Sequence, residues 1–182
     1  MKSGRKTLVL LAVLVVCVAA YFIVPKGNSS GSEDDTAQTQ SDAATEKVVT
    51  IQASDVKKVQ VYKGDTLQYG LIKSGKKWKF DEKKSKTVDQ DTVTKLLENV
   101  SDVTAARSLD FSKDNLKEYG LESPALKIVI RTKDKTYEFY LGDTVPVSGG
   151  YYGYTQDQNK IYCFGEELYT AFAVEKKSFV KS

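Results

Sequence analysis

The 182-residue chain contains no histidine. That absence removes Ser-His and Cys-His catalysis together with the commonest zinc ligand. Cysteine is nearly absent too: of the two present, Cys17 lies in an apolar run and Cys163 stands alone far downstream, so no internal disulfide is expected. Cys163 sits in an alternating stretch with Tyr162 and Phe164 on the opposite face and no visible base, which reads as a buried structural thiol rather than a nucleophile. No phosphate-cradling loop is present, because "GDTVPVSGGYYG" lacks the required lysine and helix, and calcium-loop spacing is missing as well. No cofactor and no metal is expected. The charge excess is small, +3 at pH 7, which argues against a nucleic-acid partner.

Long apolar runs are lacking except for one. Residues 8–24 ("LVLLAVLVVCVAAYFIV") are continuously apolar, and 17 residues at about 1.5 Å each span roughly 26 Å, enough for one transmembrane helix. A cleavable signal peptide is the rival reading, with "VAA" at Val18 to Ala20 as the cut site. Apolar residues continue through Tyr21, Phe22, Ile23 and Val24, however, so cleavage there would leave a greasy new terminus. Val16 is too large for the lipid processing that Cys17 would otherwise suggest. Lys2, Arg5 and Lys6 precede the run and acidic residues follow it, which places residues 1–7 in the cytoplasm and the rest outside the cell membrane. Residues 25–46 are rich in Ser, Thr, Gly, Gln and Asp and read as a disordered tether. About 20 such residues reach roughly 25 Å.

Residues 47–182 are long enough for one core. "VVTI", "VKKVQVYK", "TLQYGLIK" and "KKWKF" (48–51, 56–63, 66–73 and 76–80) are short and β-rich, and the last three are separated by "GD" and "SG" turns. They predict an antiparallel meander. A helix follows, capped by Asp89, with Val93, Leu96, Leu97 and Val100 on one face. A second helix of about six residues is expected after Ser112, stapled by Phe111 and Leu116 and stopped at Tyr119, Gly120 and Leu121; Pro124 prevents its resumption. "ALKIVIRT" then alternates, with Leu126, Ile128 and Ile130 inward. Strands are expected at 135–143, 150–156 and 160–165, and a closing helical turn at 166–172. The fold class is therefore α+β: a largely antiparallel sheet with two or three short helices, preceded by one N-terminal transmembrane helix.

The runs "LKEYGLESPALKIVI", "YEFYLGD" and "GGYYGYTQDQNKIYCF", with "GKKWKF" and "LLENV" before them, resemble the domain-of-unknown-function 4340 family over residues 48–180. Its pattern joins Tyr-Gly-Leu-x-x-Pro to a strand ending in Leu-Gly-Asp and a tyrosine hairpin. Many relatives repeat the module; here there is one copy. The resemblance implies a membrane-anchored extracytoplasmic domain associated with gliding-motility-type ABC transporter components, and it identifies no catalytic residue.

Two surface features stand out. Lys73, Lys76, Lys77, Lys79, Lys83, Lys84 and Lys86 outnumber the neighbouring Asp81 and Glu82, so this stretch suits anionic wall polymer or lipid headgroups, or simply forms a solvated hairpin tip. Tyr151, Tyr152 and Tyr154 alternate, the latter two sharing a face; they suit sugar stacking, a protein contact, or plain cross-strand packing. A glycosidase would need two carboxylates about 5 to 10 Å apart, and Glu138 and Asp143 flank one strand. The reading is a noncatalytic accessory domain of an integral-membrane complex, with ABC transporter subunits as partners. A cell-surface hydrolase, or a binder of wall polymers or lipid headgroups, is the alternative. The topology is open to direct test: a cysteine placed at Ser30 is expected to react with an impermeant maleimide in intact cells. Labelling that requires membrane disruption would reverse the orientation.

Overall fold

The computed structural model describes residues 45–82, 86–147, 149–157 and 160–181. These belong to the compact unit Gln40–Ser182. The expected membrane span at 8–24, nearly all of the expected tether, Lys83 and Lys84 lie outside the described residues. Among the described residues, no helix is long and apolar enough to cross a membrane.

The chain forms strands β1 (Glu46–Val49), β2 (Val56–Lys63), β3 (Thr66–Ser74) and β4 (Lys77–Phe80), and then helix α1 (Gln90–Glu98). Strands β5 (Val103–Asp110), β6 (Leu126–Thr132), β7 (Thr136–Thr144), β8 (Tyr151–Thr155) and β9 (Lys160–Phe164) follow, and helix α2 (Glu166–Phe172) comes after them. All nine strands make one sheet in the order β1-β5-β9-β8-β7-β6-β2-β3-β4, and every pairing is antiparallel. The α+β class with a largely antiparallel sheet is therefore correct, with two α-helices and three short 3-10 segments among the described residues.

One face of the sheet carries the core. Val59, Val61, Leu71, Ile128, Ile130, Phe139, Leu141 and Phe164 point to it and are almost wholly buried. Val93, Leu96 and Leu97 of α1, Leu168 and Phe172 of α2, and Phe179 close it from the other side. Asp89 caps α1 as its sequence suggests, accepting from the Asp91 amide at 3.1 Å and the Thr92 hydroxyl at 3.0 Å. The Tyr69 hydroxyl donates to the Phe172 carbonyl at 3.0 Å and ties β3 to α2. Burial pushes that phenol well above its ordinary range, so it stays a donor at every physiological pH.

Three expectations need correction. β1 does not join the meander of β2, β3 and β4: it pairs with β5 at the opposite edge. The link between β1 and β2 has no two-residue hairpin turn; it runs through a 3-10 segment at Ala53–Asp55 with Ile51 buried beside it, which carries the chain across the core instead of back along β1. β5 carries no strand signal of its own, because Ala, Arg and Ser between Val103 and Asp110 are weak strand formers. Finally, the helix after Ser112 is only a 3-10 segment, Lys113–Asn115, followed by turns; Ser112 does cap it, accepting from the Asp114 amide.

The two sheet edges are treated differently. At β4, Gln90 acts as a substitute strand. Its side-chain oxygen accepts from the Trp78 amide at 2.7 Å, and its amide nitrogen donates to the Trp78 carbonyl at 3.1 Å. Together with the exposed Lys77 and Lys79, this blunts the edge against further pairing. At the other edge, Glu46 pins β1 through the Ser108 hydroxyl at 2.6 Å and the Lys160 ammonium at 2.8 Å. Those hydrogen bonds, that from Lys160 foremost, hold the Glu46 carboxyl below its ordinary value of 4.5. A lowered folded pKa stabilises above the ordinary value and is lost as pH falls through the folded one. Glu46→Gln is therefore expected to speed amide exchange at Lys47 to Val49 at neutral pH, with the difference from wild type vanishing below the folded pKa of Glu46. Equal exchange at neutral pH would show that the pin is idle.

Candidate functional site

Among the described residues, α1 and α2 both pack on the core face, so the opposite face of the sheet is where the remaining chemistry collects. Strand register aligns one row across it. Leu67 of β3 pairs with Tyr62 of β2, Tyr62 with Lys127 of β6, Lys127 with Tyr140 of β7, and Tyr140 with Tyr154 of β8. The members from Tyr62 to Tyr154 are half-buried, while Leu67 is 44% exposed. Five strands at about 4.8 Å spacing make the row roughly 19 Å long.

Within the row the polar ends satisfy one another. Lys127 pairs with Glu138 at 3.1 Å, the Tyr140 hydroxyl donates to Glu138, and the Lys127 ammonium lies 4.9 Å from the centre of the Tyr140 ring. Burial works to raise the Glu138 carboxyl, but the Tyr140 and Lys127 contacts outweigh it and hold the carboxyl below its ordinary range. Burial, followed by the Glu138 contact, raises the Tyr140 phenol. The arrangement is a closed network with its protons settled at neutral pH.

The sequence-derived tyrosines divide as their alternation requires. Tyr152 and Tyr154 lie on this face and Tyr151 on the other, and each ring already has a ring partner. Tyr154 stacks on Tyr140 at 4.6 Å and meets Phe111 edge-on at 5.6 Å. Tyr152 leans on Tyr119 at 4.6 Å. Tyr151 stacks on Tyr169 of α2 at 4.0 Å. Ring faces occupied in this way favour a contact made by edges and hydroxyls over sugar stacking, which needs an open face.

The lysines are not brought to the tyrosines. Lys73 is half-buried and donates to the Ser54 carbonyl at 3.3 Å, whereas Lys76, Lys77, Lys79 and Lys86 are exposed. β4 stands five strand steps from β8, about 24 Å away. Glu138 and Asp143 are five residues apart on β7, roughly 16 Å along the strand, wider than a glycosidase pair requires. Cys163 is buried and accepts from the Arg107 guanidinium at 3.4 Å. Among the described residues, no group of three metal-ligating side chains comes together. Sequence reasoning missed Tyr62, Leu67, Lys127 and Tyr140. Alternation assigns Tyr62 and Lys127 to the outer side of their strands, but only register shows that these residues share a row.

The Tyr119–Pro124 join has a partner too. The Leu121 amide reaches back to the Leu116 carbonyl at 2.7 Å, which ends the turns as a helix C-terminus ends. Gly120 takes φ +66°, and Leu121 is buried. The Asp143 amide donates to the Tyr119 carbonyl at 2.9 Å. A side chain on Gly142 would strike the backbone of Tyr119 and Gly120, and one on Gly120 would strike the Asp143 carboxylate. The two motifs Tyr-Gly-Leu and Leu-Gly-Asp therefore meet face to face, each glycine making room for the other segment.

The architecture is that of an α+β domain whose single antiparallel sheet is covered by helices on one side and crossed by a glycine-locked connection on the other. The chain belongs to the family described as Domain of unknown function (DUF4340), which matches residues 78–182. The match starts in β4 and takes in the whole of both motifs. Neither the curated proteins nor the solved structures contain a match to the chain.

The contact separates two glycine substitutions. Gly142→Ala meets backbone and is expected to cost about 2 kcal/mol or more. Gly120→Ala meets a side chain that can swing aside, so the left-handed penalty of about 1–2 kcal/mol dominates. Denaturant unfolding of both variants checks the order, and a Gly142→Ala protein as stable as wild type would remove the contact from the fold's requirements.

Proposed function

We propose that the chain is a noncatalytic, membrane-anchored extracytoplasmic domain that holds a docking face beside other membrane proteins, with ABC transporter subunits as the partner class. The observation that carries this reading is the open end of the row, Leu67, Tyr62 and Lys127, on the part of the outer face that the connection between β5 and β6 leaves uncovered. A half-buried tyrosine beside an exposed leucine gives contact area with a polar end, the composition of interface cores. The apolar run at 8–24 and the polar stretch after it would keep such a face near the bilayer.

A photocrosslinking residue at Leu67 or Tyr62 in intact membranes is expected to capture an integral-membrane protein, and the same residue at Glu98 on the solvent side of α1 is expected to capture none. Equal capture from both positions would remove the face from the proposal. Absence of membrane-protein capture, together with cleavage of wall glycan by the purified protein, would favour the hydrolase. Adducts with wall polymer or lipid confined to Lys76, Lys77 and Lys79 would favour the polymer or headgroup binder.

A further inference from the structure

A cleft of about 130 Å³ opens beside β1. Its apolar wall is made by Val48 and Val49 of β1 and by Tyr137 and Phe139 of β7, all of which pack on or within the core. Its charged lining is Lys135 and Asp157, paired at 2.6 Å, and Glu138, whose carboxylate is already held by Lys127 and Tyr140. Thr132 holds the turn that presents Lys135: its hydroxyl accepts from the Lys135 amide at 3.0 Å and donates to the Lys135 carbonyl at 2.9 Å. The Lys135 ammonium also lies 5.0 Å from the centre of the Tyr137 ring. Thr155 lines the cleft, and its hydroxyl is buried without a partner among the described residues.

We propose that this cleft binds a small zwitterion with an aliphatic tail, the chemistry of a free aliphatic α-amino acid. A cavity of roughly 150 Å³ takes a benzene ring, so this slightly smaller cleft suits a branched aliphatic side chain. The rim pair is neutral as a whole, so a ligand with one charge leaves one partner unmatched, whereas a carboxylate on Lys135 and an ammonium on Asp157 match both. Both rim side chains are about half exposed, at 51% and 53%, and opening so exposed a pair costs little. The inference uses residues outside the docking row and does not depend on the docking proposal.

Saturation-transfer NMR of the full chain in detergent micelles tests it, with leucine, leucinamide and N-acetyl-leucine as probes. Leucine is expected to give a saturable signal. The two analogues, each lacking one charge, are expected to bind about tenfold more weakly. Lys135→Gln and Asp157→Asn, both at exposed turns, should weaken leucine by a similar factor without changing the melting temperature, and Val48→Phe should fill the cleft and abolish the signal. No saturable leucine signal in the folded protein, equal signals from all three probes, or full binding by both rim variants would each overturn the proposal.

Discussion

The backbone contact between Tyr119–Gly120 and Gly142–Asp143 fixes the connection that crosses the outer face of the sheet. After β5 the chain has to reach β6, which lies four strand steps away, about 19 Å. It makes the crossing on the outer face, over the positions that β9, β8 and β7 occupy. Phe111 rests on Tyr154, Tyr119 on Tyr152, and the Tyr119 carbonyl receives the Asp143 amide. Once that connection is placed, β6 to β9 fill the gap by successive hairpins, and no further crossing of the sheet is required between them. A side chain at position 142 would lift the connection off the sheet and leave the Asp143 amide without its acceptor, so the glycine is a condition of the topology rather than a local convenience.

The same connection divides the outer face into two parts. Over β8 it covers ring surface and turns Tyr152 and Tyr154 into packing residues. Toward β2 and β3 it is absent, and there Leu67, Tyr62 and Ile72 remain half-buried or exposed. Lys58 is neutralised there by Asp81 at 2.5 Å, and the exposed Arg131 adds positive charge to this open half. The face therefore passes from a sealed aromatic region into an apolar and cationic one along a single register row, and the open end is where a partner would find area still to bury.

Much of the framework was legible because its signals are local. The strands β2, β3 and β4 announce themselves by turns at Gly64 and Gly75, both with positive φ, and α1 by its cap and its apolar stripe. The burial of Leu126, Ile128 and Ile130 followed from alternation alone. β5 was hidden because its stability comes from its two neighbours, β1 and β9, rather than from its own residues. The segment after Ser112 carries the cap and the stop of a helix. Its length allows only a 3-10 turn, since so few residues cannot offset the cost of nucleating a helix, and Phe111 was drawn away to Tyr154.

By itself the sequence determined the antiparallel α+β class, the faces on which most side chains lie, the junction at Gly120 and the family. Each of these depends on residues within a few positions of one another, where sterics and periodicity decide the outcome. Tertiary structure alone decided that β1 closes the far edge, that the tyrosines face other rings, that Leu67, Tyr62, Lys127, Tyr140 and Tyr154 form one row, and that Lys135 and Asp157 guard a cleft beside Val48. Those outcomes depend on register and on pairing between distant segments. Antiparallel pairing sets each of them by burial summed over the whole sheet, which no local stretch of sequence encodes.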